Sequence, residues 1–194
     1  MYVAASEIAE SALRRFYDEA GAGFFDTERT EAKQLGALGA RRKPLQDAPT
    51  PAGNPTMVSL LLRLSALNDR EDYRKKARET LESFAGIVEH FGLYAASFAL
   101  ALGRLVRPAV QVVIVGEGPA AAELEVIALA RYALNKSVIR ITREQMAELP
   151  PALAQTIPHL PQSSVTVALV CSGHTCRPPV SDAEALISAL SEAV

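Results

Sequence analysis

Three groups of residues in this chain have the types and spacing to do chemistry. The first is Asp47-Ala48-Pro49-Thr50-Pro51-Ala52-Gly53-Asn54-Pro55. Three prolines fix their own φ, and Gly53 can take backbone angles closed to other residues. Asn54 is a favoured N-cap, and Pro55 suits the first turn of a helix. A stiff turn therefore hands a carboxylate and a carboxamide to the mouth of a helical array. Asp26 and Asp47 are the candidate catalytic carboxylates of a sugar site, with Asp47, Gly53, Asn54 and Arg42 as substrate-binding residues. The alternative is a rigid corner, in which the same side chains cap helices and tie the loop together. Arg41-Arg42-Lys43-Pro44, just upstream, is either a solvated basic loop or an anion clamp beside such a site.

The second group is Cys171-Ser172-Gly173-His174-Thr175-Cys176, placed just past an apolar run at the edge where open α/β sheets bind ligands. Its C-x4-C spacing differs from the C-x2-C of zinc and thioredoxin-type sites. His174 brings the potential metal ligands to three, and no obvious fourth exists, since His90 and His159 are remote in sequence. A structural or reversible cysteine pair comes first, inert thiols second and a metal site third; no metal and no cofactor is expected. The third group is the Gly116-Glu117-Gly118-Pro119 turn, with Ala121 three residues after Gly118. Glycines between a strand and a helix let a phosphate approach backbone N–H groups. Glu117 brings a negative charge there, Pro119 removes a donor, and Arg140-Ile141-Thr142-Arg143 offers no acid for a ribose. A tight strand-to-helix turn is the alternative.

The elements that position these groups follow from periodicity. Residues 3–19 read as an amphipathic helix and Gly23-Phe24-Phe25-Asp26-Thr27 as a short aromatic turn or edge strand. Met57, Leu60, Leu61, Leu64 and Leu67 form an apolar stripe on a helix packed on two sides. Tyr73, Ala77, Leu81, Phe84 and Val88 mark the next helix. Phe98, Leu102 and Leu105 face inward from a third, after a break at His90-Phe91-Gly92. Short turns between them predict antiparallel hairpins. Beyond Pro108 the pattern changes. Val110–Val115 is a β-branched run of the kind found in a strand buried on both faces. A helix at 119–133, a strand at 137–141, a short helix at 143–149 stopped by Pro150-Pro151, a loop at 151–163 and a strand at 165–170 follow. Ser181 and Glu184 form a capping box for the last helix. The fold class is thus mixed α and α/β. Residues 1–107 are a helical-hairpin region, and residues 108–194 are a small three-stranded parallel α/β domain.

Composition narrows the classes of function. Lys and Arg number 20 against 22 Asp and Glu, for a net charge of −2, so there is no basic excess to hold a nucleic-acid backbone. No run is long and apolar enough to span a bilayer, and the first residues lack the pattern of a secretory signal. Neither a nucleic acid nor a membrane is expected as partner, and the cytoplasm is the expected location. The helical pattern starts at once, as in a chain that begins inside a larger fold.

Gly23-Phe24-Phe25-Asp26-Thr27, Arg42-Lys43-Pro44-Leu45-Gln46-Asp47-Ala48-Pro49-Thr50-Pro51-Ala52-Gly53-Asn54, the Leu60–Leu67 helix, Val112-Val113-Ile114-Val115-Gly116 and Val170-Cys171-x4-Cys176-x-Pro178 occur in that order. This series resembles the C-terminal part of the thioredoxin-domain-containing proteins related to spermatogenesis-associated protein 20. The resemblance covers nearly the whole chain. The chain departs from the family pattern at Ala52 and Pro55, where a serine is usual. The resemblance implies a partial (α/α)6 toroid, similar to sugar epimerases and six-hairpin glycosidases, followed by a small α/β tail. It implies a small carbohydrate as ligand, and either a homodimer formed through uncovered faces of the helical array or a repacked compact monomer. Three functions stay open: a structural or ligand-binding remnant of a carbohydrate-related family; a sugar-modifying enzyme using Asp26, Asp47 and Asn54; and a redox or nucleotide-binding module using Cys171, Cys176 and the Gly116–Gly118 turn.

Overall fold

A computed structural model describes residues 2–28, 36, 40–157, 165–173 and 175–193. The chain forms two compact units, Met1–Ser65 with Asp69–Val106, and Ala66–Asn68 with Arg107–Val194. The architecture is mixed helix and sheet, with seven α-helices and a four-stranded sheet among the described residues.

The first unit is built by α1 (Tyr2–Phe16), α2 (Gly53–Asn68), α3 (Glu71–Phe84) and α4 (Ala96–Val106). Helix α2 carries Val58, Leu61, Leu62 and Leu64 into the core, too wide an apolar arc for a helix covered on one side only. Helix α3 buries Tyr73, Ala77, Leu81 and Phe84 at helical spacing, with Arg74, Lys75 and Glu82 elsewhere on its surface. Ala9, Phe24, Leu45, Phe98 and Ala101 complete that core. Two expectations fail here. Leu102 of α4 is 42% exposed, and Phe98 with Ala101 carries the buried face. Between Glu71–Phe84 and Val88–Val106 the chain bends by 110°, well short of an antiparallel hairpin. The cause is local: Val88–Ala95 is 3-10 rather than α, and Gly92 sits at φ +51°, outside helical geometry.

The second unit contains β1 (Val110–Val115), α5 (Gly118–Ala130), β2 (Lys136–Ile141), α6 (Pro151–Thr156), β3 (Val167–Ser172), β4 (Thr175–Cys176) and α7 (Ala183–Ala193). Strand order is β2-β1-β3-β4. All six residues of β1 are buried, as its unbroken β-branched run requires. Val112 and Ile114 face α5 and α7 across Leu124, Leu186 and Leu190. Val113 and Val115 face Leu149, Leu153 and Ile157 on the other side. Asp182, rather than Ser181, caps α7: its Oδ1 accepts the Ala185 N–H at 2.9 Å, which moves the cap one residue along from the expected box.

The expected parallel three-stranded sheet is corrected to a four-stranded mixed one. Strands β1 and β2 are parallel, joined by α5, but β3 runs antiparallel to β1, with Val115 opposite Val167 and Val110 opposite Ser172. Between β2 and β3, Pro150-Pro151 separates a 3-10 turn at Glu144–Glu148 from a six-residue α6, where a loop was expected. The chain re-enters the sheet at the end where it left.

At that end Gly116 has φ +151°, and a Cβ built on it would lie 2.4 Å from Thr166 Oγ1. Glycine is therefore demanded by close packing against the segment entering β3. Gly116→Ala is expected to cost at least about 2 kcal/mol of stability, because both the backbone angle and the contact oppose it. Chemical denaturation of the two proteins side by side measures this.

Candidate functional site

The Asp47–Pro55 loop is ordered by two side chains. Asn54 is 1% exposed. Its Oδ1 accepts the Phe24 N–H at 2.6 Å, and its Nδ2 donates to the carbonyls of Phe24 at 2.9 Å and Pro44 at 3.0 Å. Three stretches far apart in sequence are thus held by one carboxamide. Gly23, at φ +79°, lets the aromatic segment approach so closely that a Cβ would lie 3.1 Å from Asn54 Oδ1. Asn54 is therefore not the N-cap of α2. The helix starts at Gly53, two residues earlier than expected, and Ala52 precedes it without a side-chain cap. A side chain at Gly53 would meet open space, so no steric demand selects glycine there.

Asp47 is the second anchor. Its Oδ1 accepts the Ala52 N–H at 2.8 Å and the Ser97 hydroxyl, and its Oδ2 accepts the Ser97 N–H at 2.8 Å. It ties the start of α2 to the start of α4. Burial alone would raise its pKa, but the hydroxyl and N–H of Ser97 and the N–H of Ala52 outweigh that and hold the carboxyl below its usual range. A carboxylate held in its charged form by three donors is poorly suited to general-acid work.

Asp26 and Arg42 sit together at the surface. Asp26 N–H donates to the Arg42 carbonyl at 2.8 Å, and Arg42 N–H returns a bond to Asp26 Oδ1 at 2.9 Å. Arg41 donates to the Thr27 carbonyl from Nε at 3.1 Å and stacks its guanidinium 3.8 Å from the Phe25 ring centre. Lys43 binds the Ala22 carbonyl at 2.5 Å and Asp18 at 2.7 Å. Much of the basic cluster is therefore engaged in tying this surface together. Beside it opens a cavity of about 260 Å³, walled by Phe16, Phe24, Phe25, Pro44 and Met57, with Asp26 at its margin. Asn54 and Gly53 contribute to its floor, while Asp47 is not part of the lining. The aromatic wall was not among the expected site residues. Its only signal in the sequence is a pair of phenylalanines between glycine and aspartate in polar surroundings.

In the second unit, Cys171 and Cys176 face each other across the β3–β4 ladder and are joined by a disulfide. Both thiols are used in pinning this hairpin. His174 and His159 lie outside the described residues. Among the described residues no three His, Cys, Asp or Glu side chains are grouped to hold a metal. The antiparallel β3 also separates what the sequence had put at one edge. The Gly116–Gly118 turn follows Val115 at one end of β1, whereas Cys171 lies opposite Gln111 near the other end. About four residues of strand, on the order of 13 Å, divide them, so they do not form one site. The turn does border a cavity of about 330 Å³ with Arg140, Thr142 and Gln145. Arg140 is paired with Glu125 at 2.9 Å. Thr142 N–H donates to Gln145 Oε1, and Gln145 N–H donates back to Thr142 Oγ1. Packing against Thr166 accounts for Gly116 without any ligand.

Two substitutions test the anchoring roles. Asn54→Ala leaves the Phe24 N–H and the Phe24 and Pro44 carbonyls without their partner, an expected loss of about 3 kcal/mol or more in urea titration. For Asp47, the folded pKa lies below the unfolded one, so its stabilisation is present above about pH 4 and fades as pH falls through the folded value. The stability gap between the wild type and Asp47→Asn should therefore narrow as pH falls below about 4. A gap that stays constant with pH would remove the carboxylate from this role.

Set against protein-family models, curated proteins and solved structures, the chain matches none of them, and a functional reading rests on the geometry of these two units.

Proposed function

We propose that this protein is a ligand-binding module for a small sugar or sugar-like molecule, seated in the aromatic cavity of the helical unit, and that it is not a glycosidase. The observation that carries this reading is the division of labour around the Asp47–Pro55 loop. Asp47 and Asn54 are occupied by hydrogen bonds within the fold, while the cavity beside them is lined by Phe16, Phe24, Phe25 and Asp26. Hydrolysis of a glycosidic bond uses two carboxyl groups facing each other across the scissile atom. Among the described residues, Asp26 is the one carboxylate that borders this space. Binding needs less: an apolar face of a sugar ring against phenylalanine, and an acceptor for its hydroxyls. Asp26 Oδ1 accepts the Arg42 N–H, and the Asp26 carboxylate lines the cavity, where it would serve as acceptor for a ligand hydroxyl.

The resemblance to the family related to spermatogenesis-associated protein 20 supports the same ligand class. In this reading the helical unit is part of an (α/α) toroid that has kept a binding surface and lost the catalytic one.

Differential scanning fluorimetry with monosaccharides, disaccharides and N-acyl sugars tests the proposal. A ligand at one hundred times its dissociation constant adds about 2.7 kcal/mol of stability. The shift should vanish in Phe25→Ala and Asp26→Asn and persist in Asp47→Asn, whose starting stability is lower. A panel without any response, or a shift that survives Phe25→Ala, would overturn the proposal. Turnover of a bound sugar would overturn its non-catalytic half.

A further inference from the structure

In the α/β unit a second cavity, of about 450 Å³, opens where α5 ends, β2 begins and the last turns of α7 pass by. Its walls are Ala130, Arg131, Tyr132, Lys136, Leu190 and Ser191. Two of these are cations and none is acidic. The acidic residue next in sequence, Glu192, is paired with Arg177. Among the described residues neither Arg131 nor Lys136 has an ion-pair partner. The two charges are held in place rather than waving in solvent. Lys136 Nζ donates to the carbonyls of Ala128 and Arg131, and so closes the C-terminal end of α5. The Arg131 guanidinium donates to Ser191 Oγ, which itself donates to the Ile187 carbonyl at 2.9 Å.

This arrangement carries an electrostatic cost that the Ala128 and Arg131 carbonyls relieve without supplying a counter-charge. Burial and, after it, the neighbouring Arg131 guanidinium push the Lys136 ammonium pKa below the usual lysine value. The negative end of the α5 dipole would repel an anion, but the Ala128 and Arg131 carbonyls already face the ammonium. What remains turned to the cavity is positive. Arg131 keeps further N–H donors beyond the one given to Ser191, and Lys136 keeps one of its three. A guanidinium beside an ammonium suits a group with several charged oxygens, which takes short, strong bonds from both. Tyr132 is 82% exposed at the rim and offers a ring face and a hydroxyl to whatever such a group carries.

We propose that the Arg131–Lys136 cavity is a binding site for a phosphomonoester, with the phosphoryl oxygens between Arg131 and Lys136 and the organic portion against Tyr132. The site lies wholly in the α/β unit and does not depend on the sugar reading for the helical unit.

The test uses inorganic phosphate and pyrophosphate at constant ionic strength, with binding followed by amide NMR shifts on the full chain. The wild type should show saturable shifts at Arg131, Tyr132, Lys136 and Ser191. Arg131→Gln should weaken binding by about tenfold or more, the loss expected for one charged hydrogen-bonding partner. Lys136 also caps α5, so its substitution risks the fold. The wild-type Lys136 side chain is instead titrated by NMR, and its pKa should rise when phosphate saturates the site. A pKa that does not move, equal affinity in wild type and Arg131→Gln, or shifts confined to the Arg41–Lys43 cluster would overturn the proposal.

Discussion

The helical unit depends on one buried carboxamide. Asn54 meets Phe24 through both its donor and acceptor ends and Pro44 through its remaining donor. An amide is the right group because it is neutral and bifunctional. A carboxylate in the same place could not donate, and would bury a charge with no cation to meet it. Because the Phe24 N–H and carbonyl are both satisfied by one side chain, the aromatic segment needs no strand partner beyond its bridge to Tyr17. That leaves the Phe24 and Phe25 region free to wall a cavity. Asp47 repeats the device at the next corner with a charged group, and it can do so because three donors converge on it.

The α/β unit obeys a different constraint, that of its central strand. Strand β1 is buried along its length and must have neighbours on both edges. On one edge α5 brings β2 back parallel. On the other edge the chain re-enters at the end where it left, and β3 runs reversed. Two consequences for function follow. The disulfide becomes the clasp of a hairpin, standing away from the Gly116 turn. The C-terminal end of α5, the start of β2 and α7 meet at a corner, and there Arg131 and Lys136 come together from positions on either side of a tight connection.

Conspicuous residues and open cavities are different things in this protein. The proline-rich loop attracts attention because stiff turns with polar side chains are where sites are built. Here the same chemistry is turned inward. The cavities that carry the two proposed sites are lined by residues without a motif: two adjacent phenylalanines, and an arginine and a lysine five positions apart.

From the sequence alone one could read the mixed class, the helical first part, the break near Pro108, the buried central strand and the existence of the cysteine pair. All of these depend on local periodicity or on residue chemistry that acts over a few positions. Only the tertiary structure decided the direction of β3, the bend before α4, the exposure of Leu102, and the use of Asn54 and Asp47 as internal ties. Strand direction depends on the end of the sheet at which the chain re-enters. A polar side chain's role depends on which distant N–H and carbonyl groups arrive beside it. Neither is written in any short stretch of sequence. Phe24 reaches Asn54 across 30 positions and Ser97 reaches Asp47 across 50. Only the packing of α1, α2, α3 and α4 brings them together.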